Sequence, residues 1–240
     1  MFMLELKKLK RTFAAEMMIL FGMFGSLLII LNFTLRHKTL LSNNASPMKN
    51  LILQNWGIIS TLNIMALIAG ACILYNIEYS DNAMLKLSAL PIRMDNLFLA
   101  KTFVMILNYI IIIILESAAF AYCGMKYLPK NTFILKELIL FMMYAFLLSL
   151  PVLVFMLFVS SLCKNMWISA GIGIIGVMST VIAVGLEKSV LNLLPFSIIN
   201  QPVFYYAIKP DLKLSLFASG EAFLFLIVQM IVSKIRRENA

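Results

Sequence analysis

LILFMMYAFLLSLPVLVFMLFVSSL, residues 138–162, runs from Leu138 to Leu162 without a charged side chain. Crossing the ~30 Å hydrocarbon core of a bilayer takes about 20 apolar residues in a helix, and each backbone polar group must find its partner inside the segment. The stretch therefore reads as a membrane-spanning helix. The same criterion finds five more spans on either side of it, at 17–35, 56–77, 102–123, 166–186 and 214–233. Ser160, Ser161, Cys163, Lys164 and Asn165 alone interrupt the apolar run between the fourth and fifth spans, which implies a tight turn there.

Composition agrees. Hydrophobic residues make up 62% of the 240 and charged residues 13%, with a mean hydropathy of +0.96, whereas soluble domains are roughly half apolar and a quarter charged. No internal repeat is visible, so residues 1–240 read as a single all-α integral membrane domain. The formal charge of +9 sits beside apolar runs, where lysine and arginine meet membrane lipid headgroups, and nucleic acid is not implied.

The first apolar run is long and lacks a small-x-small cleavage site, so it is expected to stay as the first span rather than leave as a signal peptide. Before it, residues 1–15 interleave Leu4, Leu6, Leu9 and Phe13 with Lys7, Lys8, Lys10 and Arg11, the pattern of an amphipathic helix lying in the membrane interface. These cations favour an inside N-terminus. Six spans return the C-terminus to the same side, where Lys234, Arg236 and Arg237 form a second basic cluster. A count of all loops divides the cations almost evenly, so the orientation rests on the charge concentrated near the two ends.

Catalytic chemistry finds little to work with. Cys72, Cys123 and Cys163 are scattered, and His37, the one histidine, lies among Arg36, Lys38 and Thr39, so free thiols and no metal are expected. Gly171, Gly173 and Gly176 spell GxGxxG, but inside an apolar span they mean close helix packing rather than a nucleotide site. No phosphate loop, HExxH helix or GxSxG elbow occurs. The chain is not expected to be an enzyme or to bind a cofactor.

Two acids lie inside spans, Glu116 in the third and Glu221 in the sixth. A carboxylate in hydrocarbon costs several kcal/mol unless it is paired, protonated or hydrated. Both would fall in the outer half of the bilayer and could line one substrate path; an interhelical hydrogen bond to serine, asparagine or tyrosine would satisfy them equally. Pro151 in the fourth span removes a helix hydrogen bond and predicts a kink, with or without a gating role.

Between the second and third spans, IEYSDNAMLKLSALPIRMDNLFLAKTF, residues 77–103, is too polar to span, yet Leu85, Leu87 and Leu90 recur at helical spacing before Pro91. Such a stripe either sinks into headgroups or docks in a partner's groove. Here the chain resembles the permeases of ABC-2-type ATP-binding-cassette exporters. The resemblance rests on the basic opening from Glu5 to Arg11, the polar Gln54-Asn55-Trp56, then Glu78, Asn82 and the L-x-LP element of Leu87 to Pro91, and Lys101 before the third span. Within that class it is most similar to the small permeases of lantibiotic-immunity and bacitracin-resistance systems, although Met84 stands where many of those carry tryptophan.

The resemblance implies a bacterial cytoplasmic membrane protein with both termini inside, dimeric with an identical or sister permease, seated on separate ATPase subunits that bind ATP and magnesium. It assigns Glu78, Asn82, Leu85, Lys86, Leu87, Leu90 and Pro91 to a cytoplasmic coupling helix. It also allows 191–206 to form short helices dipping into the outer leaflet, an ordinary external loop being the other reading. The implied cargo is an antimicrobial, lantibiotic-like peptide or similar amphiphile. A lipid-linked or other hydrophobic cargo, and an ATPase-independent carrier or scaffold, are the alternatives.

Overall fold

A computed structural model describes residues 5, 8, 13–41, 46–79, 94–129, 132–184, 194–205 and 207–238. Every regular element among them is a helix. Five are long: α1 (Ala14–Leu41), α2 (Pro47–Tyr79), α3 (Met94–Tyr127), α4 (Leu135–Leu162) and, last in the chain, α8 (Leu212–Glu238). Between them lie α5 (Met166–Val184) and the four-residue α6 (Pro195–Ile198) and α7 (Gln201–Phe204).

The five long helices are each long and apolar enough to cross a membrane. The apolar run of α5 is shorter, Met166–Thr180, and the expected fifth span reaches beyond Val184 into residues outside the described set. The long helices overrun the expected spans. Helix α2 begins at Pro47, suited to a first helical turn where a missing N–H costs nothing. Its polar residues do not stop it, because Asn55 donates to the Leu51 carbonyl at 2.8 Å and accepts from Asn32 of α1, also at 2.8 Å. Ala14 and Ala15, expected in the interfacial helix, belong to α1.

Side-chain contacts fix the helix directions. Trp56 meets Phe141 and Tyr79 meets Ser161, so α2 and α4 run parallel. Along α5, Ser169 faces Cys72 and Gly173 faces Ile68, so α5 runs against α2. On α8, Ala218 packs with Tyr144 and Leu148, while Gln229 bonds Ser161, so α8 follows α4. Helices α1, α3 and α5 thus point one way and α2, α4 and α8 the other. Glu5, Lys8 and the C-terminal half of α8 lie at one end of the bundle, with the end of α2 and the start of α3.

Helices α2 and α4 form the buried centre, whereas α1 and α8 expose most of their apolar surface. Lipid tails are as apolar as leucine, so the helices associate through close packing and polar contacts rather than water exclusion. The α1–α3 crossing shows this: a Cβ built on Gly22 would stand 3.1 Å from the Ile112 Cα, closer than backbone and side chain normally pass.

Residues 195–202 are buried in the end of the bundle opposite the charged ends. Trp56 Nε1 donates to the Ile199 carbonyl at 3.0 Å, and Ser60 donates to Asn200 Oδ1 at 2.5 Å. Phe196 stacks edge-on against Phe155 and lies over Gly176. Of the two readings of 191–206, the described part is packed against α2, α4 and α5 and is not an ordinary solvent loop.

Candidate coupling and transport sites

Where α2 stops and α3 starts, two acids and two lysines close into a network. Lys101 Nζ donates to Glu78 Oε1 and Glu5 Oε2, each at 3.0 Å, and to the Leu74 carbonyl at 2.9 Å. An ammonium has three donors, and all three are used. The charge also sits 5.4 Å from the centre of the Tyr75 ring. Lys8 Nζ donates to Glu78 Oε1 at 2.7 Å and to Glu5 Oε1 at 2.9 Å. Burial works against the charge on Lys8, but the hydrogen bonds to Glu78 and Glu5 outweigh it and raise its ammonium above the ordinary lysine value.

Lys101 and Glu78 are each 2% exposed and Glu5 4%. Burying charge costs several kcal/mol per ion unless geometry and further hydrogen bonds compensate; here two positive and two negative groups share one site. The network ties the N-terminal segment to both helices that flank residues 80–93. Of the coupling residues expected from sequence, Glu78 is thus a buried anchor, while Asn82, Leu85, Lys86, Leu87, Leu90 and Pro91 lie outside the described residues. The sequence reading missed the pairing of Glu5 and Lys8 with Glu78 and Lys101, taking the N-terminal cations for lipid contacts. A lone acid three residues before Lys8 was the available signal.

The next residue points the other way. The Tyr79 hydroxyl donates to the Ser161 carbonyl, and Ser161 Oγ donates to Gln229 Oε1 at 3.1 Å. A turn or two deeper, Cys72 Sγ lies 3.2 Å from Ser169 Oγ. The last two residues of α2 are therefore fastened to different neighbours: Glu78 to the N-terminal segment and α3, Tyr79 to α4 and through it to α8.

Glu116 is fully buried, and Asn63 Nδ2 of α2 donates to its Oε2 at 3.0 Å. Its Oε1 lies against Gly25 of α1 and has no hydrogen-bond partner among the described residues. Glu221 is partly buried on α8, its Oε2 likewise without a partner among the described residues. No described hydrogen bond joins the two acids. Glu116 lies fifteen residues above Lys101, about 22 Å, and Glu221 eight above Gln229, about 12 Å. Pro151 is buried in the middle of α4, which continues through it from Leu135 to Leu162; nearby, Ser149 donates to the Phe146 carbonyl at 2.6 Å.

His37 stacks on Tyr127 with ring centres 5.1 Å apart, the three cysteines are unbridged, and among the described residues no group of side chains is arranged to hold a metal. At the end of the bundle opposite the charge network, a cavity of about 520 Å³ opens between Pro47, Lys49, Thr132, Glu137 and Lys209.

Residues 1–180 match a family model described as an ABC-2 family transporter protein. The chain belongs to that family. Comparison with curated proteins and with solved structures yields no match. Membership makes this a multi-pass membrane protein with a permease role, a transport subunit of a kind that associates with an ATP-binding ATPase. The matched region of the ABC-2 permease holds the whole charge network and Glu116. It ends within α5, before the buried 195–202 segment and α8.

Proposed function

We propose that this ABC-2 permease is the membrane subunit of an ATP-binding-cassette exporter that removes a cationic amphiphile, such as a lantibiotic-like antimicrobial peptide, from the bacterial cytoplasmic membrane. The supporting observation is the buried network of Glu5, Lys8, Glu78 and Lys101. It braces both flanks of 80–93, the segment that carries the leucine stripe suited to docking on a partner.

In this reading ATP and magnesium are bound by separate ATPase subunits, and Asn82, Leu85, Lys86, Leu87, Leu90 and Pro91 press into an ATPase groove. Movement of that segment is passed through Glu78 and Tyr79 to the helices. Helix α5 is the fifth of six crossings: nineteen residues extend about 28 Å, close to the thickness of the hydrocarbon core. Both termini then face the cytoplasm. A second permease, identical or a sister chain, completes the path, and Pro151 is a flexible point in its wall. The two acids inside the bundle, Glu116 and Glu221, favour a cationic cargo over a lipid-linked anionic one, because a carboxylate ionised in an opened path attracts an opposite charge.

Substituting Leu85→Asp together with Leu90→Asp tests the reading. The double variant is expected to reach the membrane at normal abundance and to lose co-purification with its ATPase and protection against cationic peptides. Unchanged association would overturn the coupling assignment.

A further inference from the structure

We infer that Glu116 is a proton-binding site, loaded in the closed bundle described here and exchanging its proton with water when α1 separates from α3. The carboxyl group is fully buried, inside a helix long and apolar enough to cross a membrane. The groups that face it are few and uncharged: the Asn63 amide from α2, 3.0 Å from Oε2, and the bare backbone of Gly25 from α1 beside Oε1, with Ile59 next to that glycine. Within its own helix the nearest titratable groups on the same face are Tyr109 and Cys123, each two turns away and fully buried, while Tyr122 points outward.

No lysine, arginine or histidine among the described residues pairs with Glu116, and one amide hydrogen bond falls well short of what an ionised carboxylate needs in a low-dielectric interior. A metal cation is a poor occupant. It would want several oxygen ligands, and apart from Glu116 the site offers one amide oxygen and helix carbonyls already engaged in their own hydrogen bonds. A proton needs no such shell. Bound to the carboxylate, it removes the charge altogether.

The cover over Oε1 is the α1–α3 seam. Gly25 has no side chain to seal Oε1, and one turn earlier Gly22 lets the two backbones meet. Helix α1 packs on α2 and α3 and otherwise presents apolar side chains outward, so its displacement uncovers the acid. On uncovering, the O–H bond breaks, the proton passes to water, and the carboxylate left behind pairs with a cationic group. The last step alone draws on the transport reading above. The proton site stands on the membrane-embedded geometry.

Infrared difference spectroscopy of the full chain in lipid bilayers at neutral pH tests this without ATPase or cargo, so its result is independent of the coupling experiment. The spectrum of the wild type minus that of Glu116→Gln should contain the carbonyl stretch of a neutral carboxylic acid. The band should persist in Glu221→Gln and move to lower frequency after transfer to D2O. Absence of the band would show an ionised group and overturn the site; a band that never responds to D2O would overturn the exchange. Should Glu116→Gln fail to accumulate, Glu116→Asp retains the acid and should shift the same band without abolishing it.

Discussion

Lys101 Nζ lies 3.0 Å from Glu78 Oε1, with each side chain 2% exposed, and the two residues bracket the segment between α2 and α3. Removing one member of a buried ion network costs more than the network itself contributes; without Lys101, Lys8 alone is left to balance Glu5 and Glu78. Lys101→Met is expected to lower stability by about 3–5 kcal/mol, read as thermal unfolding in detergent or as loss of membrane abundance. Adding Glu78→Gln, which leaves Lys8 and Glu5 as a balanced pair, should recover part of that loss. Equal damage from the single and double variants would show that no pairing is present.

The N-terminal attachment should withstand the whole neutral range. The ammonium of Lys8 is held above its ordinary value of 10.5 by Glu78 and Glu5 despite the opposing effect of burial. A group raised in the folded state contributes stability fully below its unfolded value and loses it as pH climbs through the folded value. Protease protection of the N-terminal segment is therefore expected to be flat from pH 6 to about pH 9 and to decline only in strong alkali. Glu5→Gln should remove that protection throughout.

Glycine at the α1–α3 crossing is required by backbone approach. Gly22→Leu forces a side chain into the Ile112 backbone and is expected to destabilise by about 1–3 kcal/mol. Gly171→Leu, which enters open space, should be close to neutral. Thermal unfolding of the two variants side by side checks the contrast.

At the opposite end of the bundle, a Cβ on Gly176 would stand 2.4–2.6 Å from the Phe196 ring. Gly176→Ala should loosen residues 195–202 and increase their cleavage by added protease. Adding Phe196→Leu should restore much of the protection, since the clash and its relief share one site and cannot be additive.

The fold was legible where chemistry is local. A bilayer demands long apolar helices, so Leu138 to Leu162 announces a helix without knowledge of any neighbour. Helix ends were less so: Gln54 and Asn55 read as a polar edge but lie inside α2, where Asn55 bonds the Leu51 carbonyl and Asn32, partners that a one-dimensional pattern does not show. Charge pairing was the least legible. Glu5 and Lys101 are separated by 96 positions, and Lys8 within a basic run has the same appearance whether it meets a phosphate or Glu78. The acid at position 116 stood out as an anomaly in an apolar helix, but Asn63 and Gly25, the residues that define its surroundings, are ordinary in their own segments.

Helix α2 is 33 residues long, and it is fastened at two points about 33 Å apart along its axis: Glu78 into the charged network at its C-terminal end, Trp56 and, one turn on, Ser60 onto the buried 195–202 segment. An uninterrupted rod held in this way cannot tilt at one membrane face and stay still at the other. One helix thus joins the two ends of the bundle, so that a tilt at the charged network is also a tilt at the buried 195–202 segment.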